Sequence, residues 1–135
     1  MKNKPVTDST AVIVDGIRTP FVRAFQDYRY FDTIDLGRLA VNALLKRTPV
    51  AHAVDAIYWG GVLFPSTTPN IAREIALETN LKPTVDAMTV TRACSSSLLS
   101  VTQAAAAIER GEFDVIVAGG SDSVSNAEVA LPKKL

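Results

Sequence analysis

Short apolar runs that stop at glycine recur along this chain, and the segments between them carry apolar residues at every third or fourth position. Ala11-Val-Ile-Val-Asp15 ends at Gly16, Ala56-Ile-Tyr-Trp59 at Gly60 and Gly61, and Asp114-Val-Ile-Val-Ala118 at Gly119 and Gly120. Continuous apolar runs of this length predict strands buried on both faces, and glycine lets the chain turn tightly where each leaves the sheet. Arg18-Thr-Pro-Phe21 has to leave the sheet after the first run, because proline offers no N–H to a ladder. A fourth run, Val85-Asp-Ala-Met-Thr-Val-Thr91, predicts a further buried strand.

Helical periods fill the gaps. Leu36, Leu39, Ala40, Ala43 and Leu44 fall on one predicted helix face, which closes with Lys46 and Arg47 at the negative end of the dipole and Pro49 beyond. Thr68 followed by Pro69 predicts a capped helix start, Ile71, Ala72, Ile75 and Ala76 its apolar stripe, and Asn80 a left-handed end. Residues Ser95 to Arg110 predict a third helix, apolar nearly all round and so buried on most sides, stopped by Gly111. Strands separated by helices of ordinary length give an α/β fold in β-α-β-α-β-α-β order, with a mostly parallel sheet and helices on both faces.

Composition narrows the function classes. The 135 residues suit one domain, and 14 basic residues balance 14 acidic ones, which argues against a nucleic-acid groove or an anionic membrane surface. No apolar run approaches the roughly 20 residues that span a bilayer. Residues 1–10 read as a polar tail rather than a signal or transit peptide, and a reducing cytoplasm is the expected compartment. A single cysteine forms neither an internal disulfide nor a multi-cysteine zinc site, and no metal or bound cofactor is expected.

The predicted order gathers the residues that follow each strand at the carboxyl edge of the sheet, where open α/β folds place their sites. Arg18, Gly60-Gly61, Cys94 and Ser121–Asn126 belong to that edge. For Arg18 and Ser123, a capping or solvated role and a substrate contact both stay open. Cys94 is the candidate catalytic residue: it stands where a strand turns into a helix, and the partial positive charge of a helix start favours a thiolate and can hold an oxyanion. A lone cysteine is more often a buried structural residue, but the three serines after Cys94 are an odd lining for an apolar pocket. His52, the only histidine, precedes its strand and so falls at the opposite edge, roughly 17 Å away and outside proton-transfer reach.

These residues carry a resemblance. Arg92-Ala-Cys-Ser-Ser-Ser-Leu98 before an alanine-rich helix, Asp114-Val-Ile-Val-Ala-Gly-Gly120 and Ser121-Asp-Ser-Val-Ser-Asn126 resemble the amino-terminal half of a thiolase. Val14-Asp-Gly-Ile-Arg-Thr-Pro-Phe21 and Asn70-Ile-Ala-Arg73 fit the family's opening loop and second helix, so the match runs from Ala11 onward. Pro69-Asn-Ile-Ala-Arg-Glu74, Arg92-Ala-Cys94 and Leu131-Pro-Lys-Lys-Leu135 are most similar to the fatty-acid-oxidation β-subunit type.

The resemblance implies a thiolase amino-terminal domain over residues 11–135, without the loop domain and carboxyl-terminal half. It implies that Cys94 takes the acyl group of a 3-ketoacyl-CoA and yields it to CoA, a substrate rather than a cofactor. It further implies a homo-oligomer through the strand before Cys94, where Ala87, Thr89 and Thr91 offer a small face, and a β-oxidation α-subunit as a partner. The histidines and second cysteine that serve the nucleophile belong, by the same resemblance, to the carboxyl-terminal half. Ser97 stands where many thiolases have glycine, and Ser121 where methionine is frequent, which bears on acyl-chain preference. The competing readings are another condensing enzyme, such as a ketoacyl synthase, and a non-catalytic docking or dimerisation module. Arg18-Thr-Pro-Phe21 and Ser123-Val-Ser-Asn126 favour thiolase over the former.

Overall fold

A computed structural model describes residues 10–129; residues 1–9 of the predicted tail at 1–10 and the Leu131–Leu135 motif lie outside the described residues. Strands β1 (Ala56–Gly60), β2 (Asp86–Val90) and β3 (Ile116–Gly120) form a parallel sheet in the order β2-β1-β3. Helices α1 (Thr33–Arg47) and α2 (Ile71–Leu77) cover one face, and α3 (Ser96–Glu109) covers the other. β1 is central and wholly buried. Its alternate side chains divide the core: Ile57 and Trp59 pack with Val41, Ile71 and Ile75 from α1 and α2, while Ala56 and Tyr58 pack with Ala104 and Ala107 of α3. The α/β class with helices on both faces is as the sequence predicts.

The run at Ala11–Asp15 forms no strand. Val12, Ile13 and Val14 are 74–83% exposed, and no strand among the described residues lies beside them. Apolar content makes a segment fit for a sheet, but a strand exists only where a neighbour takes up its N–H and C=O groups. The segment is held instead through Asp15, whose carboxylate accepts from the guanidinium of Arg47 (Nε to Oδ2 2.9 Å) and from the Thr48 hydroxyl at the end of α1. These hydrogen bonds hold the Asp15 carboxyl well below the usual carboxylate range.

Three helix readings shift. α1 starts at Thr33 behind a capping box formed by Asp32 and Asp35, and its buried side is Leu36, Gly37, Val41 and Leu45, with Leu39 and Ala43 exposed. Rotation follows from Gly37, where an added Cβ would lie 2.4 Å from Ile75 Cδ1, so this side of α1 approaches α2 most closely. α2 starts two residues later than Thr68-Pro69 suggests, with Asn70 as its cap, while all four predicted stripe residues are buried. The Asn70 side chain accepts from Arg73 N–H (3.1 Å), donates to the Ala87 carbonyl (3.0 Å) and accepts from the Thr89 hydroxyl (2.9 Å), which local sequence does not reveal. Helix α2 ends at Leu77, and Asn80 is not left-handed. α3 buries Ser96, Ser100, Ala104 and Ala107 and leaves Leu98 64% exposed, so it is covered on one side rather than most. Gly111 takes the predicted left-handed stop (φ 71°).

β2 is only half-buried, since β1 alone flanks it among the described residues, and β3 lies two residues later than the apolar run. The Asp15 anchor carries a prediction. A carboxyl whose folded pKa is depressed stabilises at pH above its unfolded value and loses that contribution only as pH falls through the folded one. Amide protection around Gly16 is therefore expected to persist at about pH 4, where a free aspartate is half protonated. Asp15→Asn should abolish it at neutral pH, as read by hydrogen exchange; equal protection in both proteins would refute the anchor.

Candidate active site

The site is built where β2 hands over to α3. Ala93 adopts a left-handed backbone (φ 45°), uncommon for a residue with a Cβ, and this turns the chain sharply between Arg92 and Ser95. Cys94 sits at the bend and is exposed, outside the apolar core. The bend is closed by backbone bonds from Ser95 N–H to the Arg92 carbonyl (3.1 Å) and from Ser96 N–H to the Ala93 carbonyl (3.2 Å).

Two glycines let the start of α3 lie flat on the sheet. A Cβ at Gly60 would stand 2.4 Å from the carbonyl carbon of Ser96 and 2.6 Å from Ser97 N, and one at Gly120 would stand 2.6 Å from Ser97 Cβ. Ser100, fully buried one turn on, donates to the Gly119 carbonyl at 2.7 Å and fastens the helix to β3. Cys94 is thereby held beside the ends of the strands, at the carboxyl edge that the sequence assigns to it.

The other residues assigned to that edge have structural roles. The Ser121 hydroxyl accepts from Trp59 Nε1 (2.9 Å) and donates to the Thr33 carbonyl (2.6 Å), which accounts for a polar residue at this position. Asp122 Oδ1 accepts from the N–H groups of Val62 (2.8 Å) and Leu63 (2.6 Å), tying the loop after β1 to the loop after β3. Ser123 is buried; its hydroxyl donates to the Phe31 carbonyl (2.6 Å) and its N–H to Thr33 Oγ1 (3.1 Å), so it ties this loop to the start of α1 and makes no side-chain cap to the turn that follows it. Arg18 is exposed; its guanidinium donates to the Thr19 carbonyl (3.0 Å) and lies 5.5 Å from the Phe21 ring centre, contacts that are local. His52 is exposed ahead of β1, in a shallow cavity of about 450 Å³ with Leu45, Lys46 and Lys82, at the edge opposite Cys94. The Thr89 hydroxyl is taken by Asn70 and by Ala72 N–H (3.0 Å), and Ala87 packs on the α1/α2 core, so these side chains do not form the outward face expected of them. What β2 does present is a backbone edge beside which no other strand lies among the described residues.

Residues 11–135 match the family described as thiolase, N-terminal domain. The chain is 40% identical to a 3-ketoacyl-CoA thiolase of Colwellia psychrerythraea across its whole length, and 38% identical to one of Yersinia pestis over 92% of its length. It spans 32% and 29% of those two proteins, about a third of their length. Among solved structures it is similar to the Bacillus anthracis acetyl-CoA acetyltransferase, with a TM-score of 0.87 at 28% identity over 93% of this chain and 33% of that one. It is likewise similar to the Ascaris suum Acat5 thiolase in complex with coenzyme A, with a TM-score of 0.82 at 30% identity over 87% of this chain and 31% of that one.

Crowding at the two glycines predicts that Gly60→Ala, whose Cβ meets backbone rather than a flexible side chain, lowers stability by about 1–3 kcal/mol. Chemical denaturation is expected to show that loss together with a shift in the near-ultraviolet signal of Trp59, the residue before the glycine. Wild-type stability in the variant would mean that the start of α3 does not rest on β1.

Proposed function

The chain belongs to the thiolase family, as its amino-terminal domain, and on that premise we propose that Cys94 accepts the acyl group of a 3-ketoacyl-CoA and passes it to coenzyme A. The observation that carries this reading is an exposed sole cysteine on a left-handed bend between β2 and α3, fixed at the carboxyl edge of the sheet.

The chemistry divides a carbon–carbon cleavage into two transfers. The Cys94 thiolate attacks the 3-keto carbon and forms a C–S bond, and the carbonyl oxygen takes up negative charge. Backbone N–H groups at the start of α3 stabilise that charge. Collapse of the tetrahedral species breaks the C2–C3 bond, and its electron pair leaves on C2 as the enolate of acetyl-CoA, which takes a proton. Free CoA, having given up its thiol proton, then attacks the acyl thioester and expels the Cys94 thiolate. The product is an acyl-CoA two carbons shorter.

Proton transfer needs a base within hydrogen-bond reach. His52 is the one histidine of the 135 residues and stands at the opposite edge, so the reading takes the base from chain outside these residues, as the thiolase resemblance implies. It places the reaction in fatty-acid β-oxidation in the cytoplasm, beside a β-oxidation α-subunit, with coenzyme A as substrate and no bound cofactor; the names of the relatives support the substrate class. Dimerisation is assigned to β2, supported by its place at the edge of the sheet among the described residues. No helix among the described residues is long and apolar enough to cross a membrane.

The test is reassembly. Mixed with a separately expressed thiolase carboxyl-terminal half, the chain is expected to cleave acetoacetyl-CoA with CoA, and Cys94→Ala should lower that rate by at least a thousandfold. The chain alone should turn over little. An inactive mixture, or an active one carrying Cys94→Ala, would contradict the assignment.

A further inference from the structure

Three consecutive serines follow Cys94, and only the middle one is buried, at 3% exposure. Among the described residues the Ser95 hydroxyl bonds to the Arg92 carbonyl alone (3.0 Å), and Ser97 is exposed against the Gly120 backbone. Ser96 differs. Its hydroxyl accepts from Arg92 N–H at 2.8 Å and donates to the Ala93 carbonyl at 2.7 Å, so one oxygen reaches across the bend that presents Cys94. The same residue is seated on β1, because its carbonyl carbon occupies the space a Cβ at Gly60 would fill.

We propose that Ser96 is a positioning residue for Cys94: seated on the sheet through its backbone, it locks the left-handed bend through its hydroxyl and so keeps the thiol at the start of α3. The proposal rests on the reading of Cys94 as the acyl acceptor. Ala93 needs such a lock, since a left-handed conformation in a residue with a Cβ persists only where surrounding contacts over-determine it. The Ser95 cap residue supplies no side-chain bond to the helix N–H groups, leaving Ser96 as the hydroxyl that orders this end. With alanine at position 96, the Arg92 N–H and Ala93 carbonyl lose that partner while the Ser96 backbone bond to Ala93 remains. The helix is therefore expected to form and the bend to loosen.

Because the chain holds one cysteine, any thiol-specific reagent reports on Cys94 alone. In the 135-residue chain, Ser96→Ala is expected to slow alkylation by iodoacetamide at least fivefold, and Ser96→Thr, which keeps the hydroxyl, to stay within twofold of wild type. Thr102→Ala removes a hydroxyl further along the same helix, bonded only within it to the Leu99 carbonyl, and should leave the rate within twofold. An unchanged or faster rate in Ser96→Ala, an equal fall in Thr102→Ala, or no rescue by Ser96→Thr would overturn the proposal. If Ser96→Ala fails to fold, hydrogen exchange in the wild-type chain decides: the Arg92 amide should be protected although the residue is exposed, and exchange at the free rate rejects the lock. Full activity of Cys94→Ala in the reassembled protein would instead sink the acyl-acceptor reading itself, whatever Ser96 does.

Discussion

The start of α3 lies directly on the backbone of β1 and β3 because Gly60 and Gly120 place no side chain in the way. Contact at that distance leaves the helix one position along the sheet, and Ser100 pins it there through the Gly119 carbonyl. The chain leaving β2 then has only the residues between Thr91 and Ser95 in which to reverse into the helix, and the left-handed Ala93 is how it does so. Cys94 is exposed as a consequence of this geometry. The same contact explains why α3 buries serine and alanine along its inner side: larger groups would lift the helix away and carry the bend with it.

The loop after β3 gives the edge its stiffness. Ser121, Asp122 and Ser123 spend their side chains on Trp59, on the N–H groups of Val62 and Leu63, and on the carbonyls of Thr33 and Phe31. Its polarity thus comes from satisfying backbone groups of the neighbouring loops and an indole N–H in the protein itself. A site needs a rigid surround more than it needs every neighbouring polar group to touch substrate. The division of roles follows: one exposed thiol faces outward, and the side chains of Ser121, Asp122 and Ser123 are spent on the protein.

Much of this was legible in the residues. β1 was, because a run buried on both faces admits no polar position, and so were the stripe of α2 and the glycine stop of α3. The bend at Cys94 was legible from a buried run meeting a helix start. What escaped depended on partners distant in sequence. Ala11–Asp15 and Asp114–Ala118 are nearly interchangeable in composition, yet only the second runs into a strand, because β1 lies beside it. Thr68 and Asn70 are both good caps, and the choice fell to Asn70 because its side chain also reaches Ala87 and Thr89 on β2. The buried side of α1 turned on the close approach of Gly37 to Ile75, and Ser96 was hidden within a run of three like residues whose burial differs.

The central claim is that the sulfur of Cys94 carries the acyl group between the two transfers. Acid-quenching the reassembled protein during turnover of a 3-ketoacyl-CoA and sequencing its peptides by mass spectrometry examines that claim directly. The account predicts a shortened acyl group on the peptide containing Cys94, held as a thioester and released by hydroxylamine. Sustained turnover with Cys94 unmodified at every time point, or the acyl group found on another residue, would contradict it.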